Sequence, residues 1–229
     1  MKKLAIITAR GGSKRIPRKN IKDFLGKPII AYSIEAALES GVFDEVMVST
    51  DDEEIAEISR KYGAKVPFMR SEKTSNDFAS TTDVIIEVLD EYKKRGEDFE
   101  VAACIYPTAP FVTGKKLKEA VEKLEGSDAD TLIPVVNFSY PPQRALVIND
   151  GKLIFRKPEF MQSRSQDLEP WYHDVGQFYV LRTEAFRKNL ALMAGNILPL
   201  VVSELEVQDI DNETDWQIAE MKYKLMENK

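Results

Sequence analysis

The stretch "LAIITARGGSKRIPRKN" (residues 4–20) decides how this chain is read. Its first six residues, Leu4–Ala9, form one apolar run. A strand buried on both faces reads this way, and such strands belong to parallel sheets covered by helices. Two glycines and five basic residues (Arg10, Lys14, Arg15, Arg18 and Lys19) come directly after it. Then "PIIAYSIEAALESG" (28–41) repeats Ile30, Ile34 and Leu38 at helical spacing, with Pro28 suited to the first turn and Gly41 to the cap. Strand, glycine-rich loop and helix together offer backbone N–H groups to an anion. The loop fits neither G-x-x-x-x-G-K-[ST] nor G-x-G-x-x-G. Its charge suits a nucleoside triphosphate better than a dinucleotide. The competing readings are a solvated basic loop and an RNA contact, the second weakened because no aromatic residue is interleaved.

The alternation continues outward. "EVMVST" (45–50), "AKVPFMR" (64–70), "VAACIYP" (101–107) and "TLIPVVNF" (131–138) read as strands. "DDEEIAEISRKYG" (51–63), "TTDVIIEVLDEYKKR" (81–95) and "GKKLKEAVEKLE" (114–125) read as helices. This is an α/β pattern with a mainly parallel sheet. After residue 138 it changes. "RALVINDGKLIF" (144–155) reads as a hairpin around Asn-Asp-Gly. "RKPEFMQSRSQDLEPWYHD" (156–174) has no period. "GQFYVLR" (176–182) and "LPLVVSELE" (198–206) are strands, "TEAFRKN" (183–189) a short helix, and "NETDWQIAEMKYKLMENK" (212–229) a closing helix capped by Asn212. The whole chain, 1–229, is expected to be one domain with an excursion over about 141–172.

With 229 residues and 43% hydrophobic content, the chain can bury a sizeable core. Its net charge of −6 argues against general binding to nucleic acid or an anionic membrane. One cysteine, Cys104, rules out an internal disulfide, and its apolar setting reads as a buried strand position. One histidine, His173, leaves no zinc site of the Cys/His kind. No apolar stretch is long enough to span a bilayer, and the N-terminal one is too short for a secretory signal. The expected location is the cytoplasm.

Several segments, in order, carry a resemblance. "ARGGSKRIPRKN" and "GKPIIAYSIEAA" are followed by "VSTDDEEIAEISRKYGAKVPFMR", "YPTAPF", "RSQDLEPWYHDVGQFYV" and "DIDNETDW". Together they resemble the sugar cytidylyltransferases, the CMP-sialic acid synthetases and their relatives acting on pseudaminic and legionaminic acids. "YPTAPF", "PPQRAL" and "YHDVGQFY" are most similar to the branch acting on pseudaminic acid. The resemblance implies a Rossmann-like nucleotidyltransferase fold and a homodimer held by the excursion, which also forms part of the sugar site. It implies a reaction that joins CTP to the anomeric hydroxyl of a nine-carbon 2-keto sugar acid (a nonulosonic acid) and releases pyrophosphate. The other readings are the same chemistry on sialic or legionaminic acid, another sugar nucleotidyltransferase, and a non-catalytic nucleotide-binding protein.

The resemblance also implies roles. Arg10 and Lys19 become the main phosphate contacts and, with Asp211, the catalytic set. Ala9, Gly12, Ser13, Lys14 and Asn20 complete the triphosphate side. Arg70, Ala79 and Thr81 take the cytidine, and a planar guanidinium suits a base edge. From the residues alone, the alternative for Arg70 is a surface ion pair with a neighbour such as Glu72. Asp209 and Asp211 take Mg²⁺, although Asp-x-Asp before a helix is by itself more often a cap or loop feature. Asp51 and Asp52 read as the first turn of a helix. Tyr106, Gln177, Phe178 and Tyr179 face the sugar, and Arg164, with Arg144 second, meets its carboxylate. Tyr106 stands where the sialic-acid enzymes carry Gln, which points away from ordinary sialic acid. Arg15 and Arg18 remain open between phosphate contact and solvent, and His173 between catalysis, sugar contact and packing.

Overall fold

The structure, a computed structural model, describes residues 1–227. In chain order the elements are β1 (Lys3–Thr8), a short ribbon β2 (Asp23–Phe24) and β3 (Lys27–Pro28), α1 (Ile29–Glu39), β4 (Glu45–Ser49), α2 (Glu53–Lys61), α3 (Glu72–Ser75) and α4 (Thr81–Lys94). Then come β5 (Val101–Ile105), α5 (Gly114–Glu125), β6 (Thr131–Asn137), β7 (Leu146–Asn149) and β8 (Lys152–Phe155). The chain closes with β9 (Tyr172–Asp174), β10 (Phe178–Arg182), α6 (Thr183–Asn189), β11 (Ile197–Val201) and α7 (Glu213–Glu227). The last two residues expected in the closing helix, Asn228 and Lys229, lie outside the described residues.

The main sheet runs β11-β6-β10-β5-β1-β4, with β9 added on β6. β1 pairs parallel with β4 and β5, and β6 with β11. β10 enters antiparallel between β5 and β6. The strands β1, β4, β5, β6 and β11 therefore share one direction. Their carboxyl ends, together with the start of β10, form one edge, which is where open α/β sheets bind ligands.

Alternation along the strands feeds two cores. Ala5 and Ile7 face α1, α2 and α5, through Ile34, Ile55, Leu117 and Val121. Leu4, Ile6 and Cys104 face α4 and α6, through Ile85, Val88 and Phe186. Cys104 is fully buried, as expected, and burial pushes its thiol up to about 12. A third cluster ties Ile16 of the opening loop to Phe24, Phe111, Ile210 and Trp216. Apolar packing thus brings the loop after β1 against the segment before α7.

Two expectations need correction. Residues 64–70 do not form a strand. Lys65 makes one bridge to Met47, exchanging bonds with Val46 and Val48. Pro67, which has no N–H to donate, comes two residues later and prevents the ladder from extending. Pro28 is the residue before the first turn of α1, not within it. The hairpin forms as expected, β7 against β8 through a turn with Asp150 and Gly151 both at positive φ.

Where α1 and α5 pass, Gly114 allows the closest approach. A Cβ there would lie 2.8 Å from the Ser40 nitrogen and 3.0 Å from the Glu39 carbonyl carbon, both backbone atoms. Gly114→Ala should destabilise the protein by about 1–3 kcal/mol, the usual cost of overpacking. A urea unfolding curve checks this, and an unchanged midpoint would refute the packing account.

Candidate active site

The loop from Ala9 to Lys22 lies across the carboxyl edge of the sheet. It is tied down before any ligand arrives. The Gly11 N–H donates to Asp51 Oδ1 at 3.0 Å, and Asn20 Nδ2 donates to the Arg10 carbonyl at 2.8 Å. Ile16 is buried beneath it. Arg18 has φ 54°, rare for a residue with a side chain. It is held there by Asp52, with Nη2 to Oδ1 at 2.9 Å and Nη1 to Oδ2, and by Glu54. Arg18 is therefore a strut between the loop and α2. Asp52 also accepts from the Ile55 N–H at 3.0 Å and caps α2, so it stands just before the first turn rather than within it, and Asp51 lies outside the helix on the Gly11 N–H.

The remaining cations line a cleft of about 430 Å³ with Ser13, Asn20, Tyr106 and Thr108. Arg10 meets Asp77 at 3.0 Å, and Lys14 pairs with the same carboxylate. Arg15 meets Asp211 at 2.6 Å. Lys19 donates to the Ile210 carbonyl at 2.6 Å. Burial holds the Lys19 ammonium below its ordinary pKa, against the opposing pull of Asp211 and Asp209. Ala9 is fully buried, its N–H on the Ser49 carbonyl, and at Gly12 a Cβ would meet open space.

Ile210 is buried, Asp209 is exposed and Asp211 is half-buried. That is the alternation an extended segment gives. Asp215 then accepts from the Asp211 and Asn212 N–H groups, and Asn212 caps α7 through the Asp215 N–H at 3.0 Å. Among the described residues no three His, Cys, Asp or Glu side chains gather into a metal site. Two carboxylates do not make a closed structural site. They suit a hard cation that completes its shell with water and phosphate oxygens.

Arg70 does not pair with Glu72. It is buried, with Nε on Ser49 Oγ at 3.0 Å and Nη2 on the Ser49 carbonyl at 2.6 Å. Burial lowers its pKa, opposed by Asp51 and Glu87. Thr81 opens α4 behind a Ser80–Asp83 capping box, two residues after Ala79. Arg70, Ala79 and Thr81 do not line the first cleft, though the Thr81 hydroxyl meets Tyr106, which does.

A second cleft of about 690 Å³ adjoins the first, and Lys19, Tyr106 and Thr108 line both. Its other walls include Asn137, His173, Asp174, Gly176, Glu204, Asp209 and Lys222. Burial raises the Tyr106 pKa, and its hydroxyl faces those of Thr81 and Tyr179. Tyr179 donates to Asp174 Oδ2 at 2.5 Å. His173 sets Nδ1 2.9 Å from the Asp174 carbonyl oxygen and packs on Phe138.

Other expected sugar contacts stand elsewhere. The Phe178 side chain is fully buried in the core, where β10 lies between β5 and β6. Gln177 and Tyr179 are buried behind the wall, Gln177 with Nε2 on the Glu206 carbonyl at 2.7 Å. Arg164 pairs with Asp167 at 2.7 Å and Arg144 with Ser165 at 3.2 Å, both on the excursion and outside either cleft. Thr108, Asp174 and Lys222 were not singled out in the sequence. Thr108 and Asp174 carried a signal, inside "YPTAPF" and "YHDVGQFY", and Lys222 carried none.

A family profile described as Cytidylyltransferase matches residues 4–199. The chain is 44% identical over 226 residues to a pseudaminic acid cytidylyltransferase of Campylobacter jejuni, covering 98% of this chain and 97% of that one. The chain belongs to the cytidylyltransferase family. A cytidylyltransferase relative from Legionella pneumophila, a CMP-N,N'-diacetyllegionaminic acid synthase, is 35% identical over 237 residues, covering 99% and 97%. The solved structure of CMP:2-keto-3-deoxy-manno-octonic acid synthetase complexed with CTP shares the fold, with TM-score 0.72 and 20% identity over 100% of both chains. The resemblance drawn from the opening loop and the later segments is thus met at the level of family and fold.

The Arg18–Asp52 pair gives a testable pH dependence. Hydrogen bonding from Arg18 holds the Asp52 carboxyl below its ordinary value. A group depressed in the folded state stabilises above its unfolded pKa, near ~4, and loses that contribution as pH falls through the folded value. Asp52→Asn keeps a capping oxygen and removes the charge. It should cost about 1 kcal/mol at pH 7, since the pair is partly solvent-screened. The difference should shrink below about pH 4. Urea melts at both pH values check this, and a pH-independent difference would refute it.

Proposed function

We propose that the protein transfers CMP from CTP to the anomeric hydroxyl of pseudaminic acid, releasing pyrophosphate. The observation that carries this reading is the pair of joined clefts. One is lined by the loop cations, the other by polar groups, and Lys19 stands at their junction next to Asp209 and Asp211. Relatives matched over nearly their full length act, by name, on pseudaminic and legionaminic acids.

The first cleft takes the triphosphate. Arg10, Lys14 and Lys19 meet its oxygens, with Ser13 and the Gly12 backbone adding donors. Asp77 gives up Arg10 and Lys14 to the incoming phosphates. Arg70, Ala79 and Thr81 set the cytidine. Asp209 and Asp211 would hold Mg²⁺, Asp211 exchanging Arg15 for it. When bound, the ion supplies positive charge for the phosphate oxygens and acidifies the attacking hydroxyl. The second cleft takes the sugar acid, with Tyr106 and Thr108 at the junction and His173 and Asp174 on the wall. The anomeric oxygen attacks the α-phosphorus in line, the bond from that phosphorus to the bridging oxygen breaks, and pyrophosphate leaves. Charge neutralisation and positioning carry this kind of transfer. The chain needs no nucleophile of its own, and His173 serves as a sugar contact.

The reading includes a homodimer. In the β7–β8 hairpin Ile148 is 77% exposed and Leu153 67%, with Tyr140 beside it at 89%. A two-stranded hairpin is marginal in isolation. A second copy of the chain, packed on this hairpin, gives those side chains a core and brings Arg164 and Arg144 towards the neighbouring clefts. No helix among the described residues is long and apolar enough to cross a membrane. The proposed location is the cytoplasm, where CTP is at hand.

Pyrophosphate release with CTP, Mg²⁺ and each nine-carbon acid tests the reading. Turnover should be fastest with pseudaminic acid. Release with none of the acids would refute it, and preference for another would reassign the substrate. Asp211→Ala should lower turnover by at least 100-fold (about 2.7 kcal/mol) while CTP binding in EDTA stays near wild type. Surviving activity would remove Asp211 from the metal site. Ile148→Asp with Leu153→Asp should convert a dimer to a monomer in light scattering. A wild-type monomer would contradict the interface.

A further inference from the structure

We propose that Lys222, on α7, is the cation that holds the carboxylate of the sugar acid in the second cleft. The inference rests on the proposed function and assigns a group that the sequence did not single out.

The second cleft has to accept an anion, yet its walls carry Asp174, Glu204 and Asp209. An anion placed there without a cation would meet only like charge. Two cations line the cleft, Lys19 and Lys222. Lys19 also lines the first cleft and is bound to the Ile210 carbonyl at 2.6 Å, so it belongs to the junction and the phosphates. Arg164 and Arg144 line neither cleft of their own chain and approach one only from a second copy. Lys222 is the other cation that the chain itself places in this cleft.

Its surroundings suit the task. The ammonium donates to the Val207 carbonyl at 2.6 Å and the Glu204 carbonyl at 3.3 Å. Both acceptors are neutral backbone carbonyls. The ammonium is thus held in place without being tied up in an ion pair among the described residues. An ammonium has three donors, and two carbonyls leave one for a ligand oxygen. The turn that supplies those carbonyls is itself fixed. Ser203 and Glu206 form a capping box, Lys116 meets Glu206 at 2.8 Å, and Ser139 donates to Glu204 at 2.7 Å. Lys222 is half-buried, so its position is set before the sugar arrives. The alternative role is mechanical, as a staple from α7 to the turn at 204–207.

The test compares the preferred sugar acid with its methyl ester, which keeps the ring and loses the negative charge. Wild type should bind the acid at least tenfold more tightly than the ester, read as KM for the acid against Ki for the ester. Lys222→Met should bring that ratio near one, with KM for CTP within twofold of wild type. Lys222→Arg should restore most of the preference. A staple would instead give a lower melting temperature and kcat with the acid-to-ester ratio intact, and that result overturns the proposal. So does loss of the ratio in Arg164→Ala but not in Lys222→Met, which would move the carboxylate to the excursion. If wild type turns over no nine-carbon acid, the functional reading fails first and this proposal falls with it. If wild type turns over the acid while Lys222→Met keeps the ratio, only this proposal fails.

Discussion

Lys19 reaches across 191 positions of sequence to donate to the carbonyl of Ile210. The rest of the site depends on that contact. A loop with five cations in fourteen residues (Ile7–Asn20) cannot stay compact on its own repulsion. Each cation has a partner from a distant part of the chain. Arg10 and Lys14 use Asp77, Arg15 uses Asp211, Arg18 uses Asp52 and Glu54, and Lys19 uses a backbone oxygen. Exposed pairs of this kind contribute little to stability. They are easily exchanged, and an incoming polyanion can displace them.

The apolar layer beneath makes the charge arrangement possible. Ile16 and Ile210 pack in one cluster with Phe24 and Trp216. Burying these side chains fixes the spacing between the loop and the Asp209–Asp211 segment without any charge taking part. The polar groups above can then trade partners while their frame stays still. The same logic holds for Arg18, whose strained backbone is carried by its two carboxylate partners rather than by a glycine.

Much of the fold was legible because burial writes a period into sequence. Leu4–Ile7 and Val101–Ile105 are apolar without a break and sit mid-sheet. The helices α2, α4 and α5 show their buried faces at every third or fourth residue, whereas α1 is buried nearly all round and Leu38, spaced with Ile30 and Ile34, is exposed. Where a segment runs beside a strand without completing a ladder, as at Lys65 near Pro67, the pattern alone misleads. The basic loop and the 209–211 pair were legible as motifs. Their mutual contact was not, because nothing local records a bond across 191 residues. Phe178 on β10 shows the opposite case. It reads as a pocket residue, yet the central position of β10 turns its side chain into the core, while Tyr179 beside it keeps its hydroxyl on Asp174 of the cleft wall. Lys222 was invisible for a third reason, since a lysine on an amphipathic helix is expected to face solvent.

The central claim is that the loop cations and the Asp209–Asp211 pair form two sides of one charge-matching site. Crystals grown with CTP and Mn²⁺ test it most directly, through the anomalous signal of the metal. The account predicts a peak beside Asp209 and Asp211, with the triphosphate against Arg10, Lys14 and Lys19. A peak on Asp51 and Asp52, or a triphosphate bound away from the loop, would contradict it.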